Sequence, residues 1–210
     1  MKSTFLRPEK EIELFNRGYD FVVGVDEVGR GAWAGPLYLC AYIYSKSEVW
    51  IEGIKDSKLL SETRREKLYK YFNKDAYKFE IISNNKIDEF GLGNALCGGL
   101  KKLIDGIRCD LKMKKVIFIV DGYFKGEWDE DTVFEIKADR NIYSVACASV
   151  IAKVTRDRFM KQIASKYPGY LFEQHVGYGT KNHIEALLQF GLCDIHRKSY
   201  RPIKDLVLQD

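Results

Sequence analysis

Phe21-Val22-Val23-Gly24-Val25-Asp26-Glu27-Val28-Gly29-Arg30-Gly31 is the stretch on which the reading of this chain turns. The apolar, β-branched run from Phe21 to Val25 predicts a strand, and it delivers two adjacent carboxylates to a glycine-rich turn. Two neighbouring carboxylates repel each other and are costly to desolvate, so a cation or a shared proton is needed to offset them if both are partly buried. Side chains alternate faces along a strand, so both acids can serve one ion only where the strand ends, or if Glu27 offers its main-chain carbonyl. Gly29 and Gly31 permit tight backbone and close approach of a ligand, and Arg30 between them can meet a phosphate. Two solvated acids before an ordinary turn would read the same way from the acidic pair alone.

The rest of the chain continues as one α/β fold. Leu37 to Tyr44 reads as a second strand, and the short Gly35-Pro36 segment before it predicts a hairpin with the first. Ser61 is placed to cap a helix running to about Asn73, with Leu68, Tyr69 and Phe72 on one face. Tyr77 to Ile82 is a third strand. Leu96, Leu100, Leu103, Ile104 and Ile107 recur at helical spacing and predict a helix through about Gly106. Val116 to Val120 is a continuous apolar run, as in a strand covered on both faces, and it ends at Asp121-Gly122. Val133-Phe134-Glu135-Ile136 predicts a fifth strand, with Lys137-Ala138-Asp139 at its end. A long helix follows from Ser144 to about Ser165, alanine-rich at its start so that it can lie close to the sheet. Thr180 caps another helix, which Gly191 stops. With no repeats or linkers, residues 1–210 are expected to form a single domain with its core at about 20–203, an α/β sandwich whose sheet is partly parallel.

Composition narrows the class. At 210 residues, 46% hydrophobic and 30% charged, the chain reads as a soluble globular protein. No apolar stretch is long enough to span a membrane, and charge and proline interrupt Met1 to Pro8 where a signal peptide needs an apolar centre, so a cytoplasmic protein is expected. The five cysteines, Cys40, Cys97, Cys109, Cys147 and Cys193, are scattered and odd in number. They predict reduced, mostly buried thiols rather than disulfides or a zinc site. The net charge of +4 permits a polyanionic partner without requiring one.

Asp26-Glu27, Asp121 and Asp139 thus all stand at expected strand ends, where open α/β sheets bind ligands. An oxygen-only acidic cluster suits Mg²⁺ or Mn²⁺ better than zinc, and four carboxylates around two such ions are the equipment of phosphodiester cleavage. Spacing alone does not make them converge.

The run from Gly24 to Pro36, Gly-Val-Asp-Glu-Val-Gly-Arg-Gly-Ala-Trp-Ala-Gly-Pro, closely resembles the signature of ribonuclease HII, the type 2 ribonuclease H. Asp56-Ser57-Lys58-Leu59-Leu60-Ser61, Val120-Asp121-Gly122, Lys137-Ala138-Asp139, the run from Ala148 to Asp157, Gly177-Tyr178-Gly179-Thr180 and His196-Arg197-Lys198-Ser199-Tyr200 are similar to further motifs in the family's order. The resemblance implies a ribonuclease H-like fold: a central five-stranded mixed sheet flanked by helices, the second strand antiparallel, the first and fourth strands neighbours, and a helical C-terminal region. It implies that Asp26, Glu27, Asp121 and Asp139 are the catalytic and metal-binding acids, holding two Mn²⁺ or Mg²⁺ ions with substrate. Its expected substrates are RNA–DNA hybrids and duplex DNA with embedded ribonucleotides, cut on the 5′ side of the ribonucleotide to leave 5′-phosphate and 3′-hydroxyl ends. Ribonucleotide removal and RNA-primer degradation are the corresponding roles.

By the same resemblance, main-chain groups of Gly29-Arg30-Gly31 read the 2′-hydroxyl, which distinguishes a ribonucleotide from its neighbours. Tyr178 stacks on the deoxyribose that follows. Ser57 and Lys58, with Lys153 and Arg156 on the long helix, are candidate phosphate contacts, although Lys153, Arg156 and Asp157 also suit an ion-paired, solvated helix face. His183 reads as a helix-surface residue, and no cysteine receives a catalytic role. The closest alternative, ribonuclease HIII, usually has threonine where Arg30 stands and carries a further N-terminal domain. Another ribonuclease H-fold nuclease is excluded by the ordered motifs, and a catalytically dead nucleic-acid binder is disfavoured by the intact acids, whose charge opposes phosphate binding. A monomer is the default, and Lys204 to Asp210 lacks a recognisable aromatic sliding-clamp motif.

Overall fold

The structure, a computed structural model, describes residues 5–207. Met1 to Thr4, and Leu208, Gln209 and Asp210 of the segment searched for a clamp motif, lie outside the described residues. Strands β1 (Phe21–Val28), β2 (Leu37–Ser45), β3 (Tyr77–Ile82), β4 (Val116–Asp121) and β5 (Thr132–Glu135) form one sheet in the order β3-β2-β1-β4-β5. β1 is antiparallel to β2 and parallel to β4, as the family resemblance implied.

Strand alternation divides the core in two. Val22, Tyr42, Ile117 and Ile119 face the helix α5 (Tyr143–Ile163). Val23, Val25, Leu39 and Phe118 face α4 (Leu92–Asp110) through Leu96, Leu100 and Ile104. α5 approaches so closely that a side chain at Gly24 would overlap the backbone of Ser144 and Val145. This is the steric reason for a glycine in the central strand. Residues from Tyr143 to Ala152 are all buried, so this half of α5 is a core element with no solvated stripe. Its N-terminus is capped from a distance: Ser144 N–H donates to Glu11 Oε1 at 2.7 Å, with Glu11 buried on α1 (Glu9–Asn16).

Most predicted elements are present, with shifted ends. α2 (Glu62–Tyr69) is capped by Ser61 Oγ but stops before the predicted Asn73. α4 extends well past the predicted window at both ends, and β5 begins one residue earlier than predicted. Asp139 is therefore not at a strand end; it sits in a short 3₁₀ turn, Ala138–Arg140. β1 and β2 pair as predicted, but residues 29–36 make a longer loop than a tight hairpin, because Ala32 and Ala34 bridge to Tyr178 and His196. α3 (Asn84–Phe90) and the short α6 (Phe172–His175) complete the set with α1, α7 (Lys181–Phe190) and α8 (Arg201–Val207). The thiols are free, yet only Cys40 and Cys147 are buried; Cys97 and Cys193 are half-buried and Cys109 is exposed. The expectation of mostly buried cysteines fails because Cys97 and Cys109 lie toward the outer side of α4. No helix among the described residues is long and apolar enough to cross a membrane.

Candidate active site

Parallel pairing of β1 with β4 ends at Val25 opposite Val120, so the next residues, Asp26 and Asp121, stand side by side at the carboxyl ends of adjacent strands. Alternation sends both onto the α5 face and Glu27 onto the other. Asp26 is buried beside Ser149 of α5, and burial pushes its carboxyl well above the ordinary carboxylate range. The charges of Glu27 and Asp121 add to that rise, while the Ser149 hydroxyl opposes it. Burial also raises Glu27, against the pull of Arg30, and raises Asp139 together with the charges of Asp121 and Asp56. The acids therefore share an electrostatic neighbourhood.

Each acid already has an internal partner. Glu27 N–H donates to Asp26 Oδ1 at 2.8 Å, Ala138 N–H to Asp121 Oδ1 at 2.7 Å, and Arg30 Nη1 approaches Glu27 Oε1 at 3.4 Å. Lys58 Nζ lies 3.9 Å from Asp139 Oδ2. Among the described residues, no group of three His, Cys, Asp or Glu side chains stands ready to hold a metal ion.

A cleft of about 450 Å³ joins these parts, lined by Asp26, Glu27, the turn of residues 28–31, Ser57, Lys58, Ser149, Lys153 and Tyr178. Asp121 and Asp139 are not among its lining residues. Gly29 has φ +90°, and a side chain there would overlap the Arg156 guanidinium, so glycine is required on both counts. At Gly31 a Cβ would lie 4.0 Å from Tyr178 Cε1, which places the ring across from the turn. Among the described residues, neither Arg30 N–H nor Gly31 N–H has an internal acceptor. Ser57 is buried, its hydroxyl 2.8 Å from that of Ser149. Lys153 pairs with Asp157 at 2.9 Å and lies 5.8 Å from the Tyr178 ring centroid.

Two expectations are corrected. Arg156 is neither a phosphate contact nor solvated. It is fully buried and donates to the carbonyls of Pro36 at 2.9 Å, Val176 at 2.9 Å and Ala34 at 3.2 Å, because α5 turns it under the 29–36 loop. His183 is not on the helix surface. It too is fully buried, because α7 packs its first turn against α6 and the segment around His196, giving each ring nitrogen a partner.

The chain matches the family model of ribonuclease HII over residues 23–203. It belongs to the ribonuclease HII family. A ribonuclease HII of Caldicellulosiruptor saccharolyticus is 45% identical over 91% of this chain and 92% of that protein. Among solved structures, the ribonuclease H2 of Pyrococcus horikoshii superposes with a TM-score of 0.68 at 26% identity, covering 90% of this chain and 98% of that one. Bst-RNase HIII in complex with Mn²⁺ superposes at 0.66 with 19% identity over 91% of this chain and 70% of that one, a likeness of fold.

The protein is thus a metal-dependent endonuclease of the ribonuclease H class that acts on nucleic acid. Its donor set fits a hard divalent ion: the candidate ligands are all carboxylates, and the raised proton affinity of Asp26, Glu27 and Asp139 reflects burial and repulsion that a cation would relieve.

Sequence reasoning gave no role to Ser149, Asp56 or Arg197. Ser149 had a signal, since it lies one helical turn before Lys153 and so shares its face. Asp56 is buried, accepts Lys58 N–H at 2.9 Å and meets Arg140 at 3.3 Å. Arg197 is buried and donates to the carbonyls of Gly35 at 3.0 Å and Arg30 at 3.1 Å, a role with no local sequence signal.

Proposed function

We propose that this protein hydrolyses the phosphodiester bond on the 5′ side of a ribonucleotide, in RNA–DNA hybrids and at single ribonucleotides embedded in duplex DNA. The observation that carries this reading is one cleft with carboxylates on one wall and, on the other, a glycine turn with unpaired N–H groups facing a tyrosine ring. Asp26, Glu27, Asp121 and Asp139 would hold two divalent ions, Mn²⁺ or Mg²⁺, and a protein of the same fold has been captured with Mn²⁺. When bound, such ions activate water and stabilise the leaving oxygen.

The chain's own groups do the recognising. The main chain of Gly29-Arg30-Gly31 approaches the sugar with no Cβ intervening, so its polar groups can meet a 2′-hydroxyl that DNA lacks. Tyr178 offers a flat face to the next sugar, and a deoxyribose there lets the ring close against it. Lys58 and Ser57 stand at the cleft wall where the backbone must pass, and Lys58 can exchange its contact with Asp139 for a phosphate. The products are a 5′-phosphate and a 3′-hydroxyl, which suits ribonucleotide removal and RNA-primer degradation.

The test is cleavage of a duplex carrying one ribonucleotide by purified protein with Mg²⁺ or Mn²⁺. Nicking is expected 5′ to the ribonucleotide, and Asp26→Asn or Asp121→Asn should abolish it while the thermal melt shows a retained fold. Equal cutting of an all-DNA duplex would defeat the specificity claim.

A further inference from the structure

The three histidines of this chain, His175, His183 and His196, are all buried and gather beneath the loop that carries Tyr178. His175 and His183 stack with centroids 4.5 Å apart, and His183 Nε2 lies 3.0 Å from His196 Nε2. The partners dictate where the protons sit. His183 Nδ1 faces the carbonyl oxygen of Tyr178 at 3.0 Å, which only accepts, so Nδ1 carries the hydrogen. In a neutral ring Nε2 is then an acceptor, and His196 Nε2–H must donate to it. His196 Nδ1 consequently accepts: Cys193 N–H donates to it at 2.9 Å and the Cys193 thiol, at 3.1 Å, is a second donor, with the Cys193 carbonyl oxygen slightly farther away at 3.2 Å. His175 follows the same logic: Gly177 N–H donates to Nδ1 at 3.3 Å, and Nε2–H donates to Tyr170 O at 2.7 Å. Burial pushes His183 down to about 4 and lowers the other two, consistent with neutral rings.

The backbone above this cluster is strained. Val176, a β-branched residue, has φ 45° immediately before Gly177 at φ 88°. Such geometry persists only where surrounding contacts over-determine it. Trp33 N–H donates to Gly177 O at 2.8 Å from one side, and Thr180 N–H shares the Tyr178 carbonyl at 2.8 Å. The His183 bond is the side-chain contact that ties the peptide of Tyr178 itself to the interior.

We propose that His183 is a positioning residue: by donating to the Tyr178 carbonyl, in the tautomer that this carbonyl selects and that the His196 Nε2–H supports, it fixes the Tyr178 ring opposite Gly31 and so sets the preference for a ribonucleotide followed by DNA. This deepens the proposed function and rests on it. His183 touches no reacting atom and acts only through Tyr178.

The experiment compares single-turnover cutting of a one-ribonucleotide duplex with that of a long RNA–DNA hybrid, for wild type, Tyr178→Ala, His183→Phe, His183→Asn and the double variant Tyr178→Ala/His183→Phe. His183→Phe keeps a ring but loses the donor, and is expected to lower the ratio of the two rates about fivefold, the worth of one buried hydrogen bond. His183→Asn, with an amide N–H near the position of Nδ1, should recover most of it. The double variant should be no worse than Tyr178→Ala, since the two changes remove one function. Should His183→Phe melt below the assay temperature, His196→Phe, which leaves His183 in place but removes the donor to its Nε2 and so weakens its hold on the Tyr178 carbonyl, makes the same comparison. Equal loss on both substrates, or an additive double variant, would overturn the positioning role while Tyr178→Ala alone still shifts the ratio. If Tyr178→Ala itself leaves the ratio unchanged, the junction reading falls, and the role of His183 falls with it.

Discussion

Arg156→Met separates a buried structural arginine from a phosphate contact, and the two readings predict opposite results. The guanidinium is fully buried and its partners are three main-chain carbonyls and the Tyr178 ring, 5.5 Å from the guanidinium carbon. Burial pushes it down to about 10, so it stays charged at neutral pH and its charge is offset by carbonyl dipoles. Methionine fills much of the stem's volume but donates nothing, leaving the carbonyls of Ala34, Pro36 and Val176 without this donor. At about 1–3 kcal/mol for each buried unpaired group, partly relieved by relaxation and by no longer burying a charge, the net loss is roughly 3–5 kcal/mol. For a chain of this size that is about 2–4 °C per kcal/mol, or a fall in Tm of roughly 6–20 °C. Thermal unfolding reads this directly. Binding of a catalytically dead Asp26→Asn background to a nucleic-acid duplex, followed across salt concentration, reads the alternative, since one lost phosphate contact flattens the slope of log K against log salt by about 0.9. The expected result is a large drop in Tm with the salt slope unchanged. A Tm within about 2 °C of wild type together with a flatter slope would refute the buried-anchor account.

Two further outcomes follow from buried carboxylates elsewhere. Asp26, Glu27 and Asp139 all have raised proton affinity in the folded state, so their contribution to stability is full below the ordinary carboxylate range and is lost as pH rises through their raised values. The metal-free protein should therefore lose Tm as pH rises above about 4 toward neutrality, with Mn²⁺ reversing the loss and Asp26→Asn reducing it; identical pH profiles for wild type and Asp26→Asn in chelator would contradict the account. Glu11→Ala removes the acceptor that caps α5 and should cost about 1–3 kcal/mol in urea unfolding, with single-ribonucleotide cutting at low temperature retained. An unchanged unfolding midpoint would show that Ser144 N–H finds another partner.

The local chemistry of this chain was legible from its residues. Continuous apolar, β-branched runs in Phe21 to Val25 and in Val116 to Val120 made strands, the Ser61 and Thr180 hydroxyls marked helix starts, and adjacent acids before glycines marked the site, because each effect acts within a few residues. The motif order identified the family for the same reason. Convergence was another matter: Asp26 meets Asp121 only because β1 pairs in parallel with β4, across more than ninety residues of sequence, and no local pattern encodes that register. Arg156 and His183 show the limit most plainly. A charged or polar residue at helical spacing reads as solvated unless its partners are known, and here those partners are carbonyls and an imidazole supplied by distant loops. Burial of a polar group is decided by whether the assembled fold can satisfy its hydrogen bonds, so only tertiary structure could turn these two side chains inward.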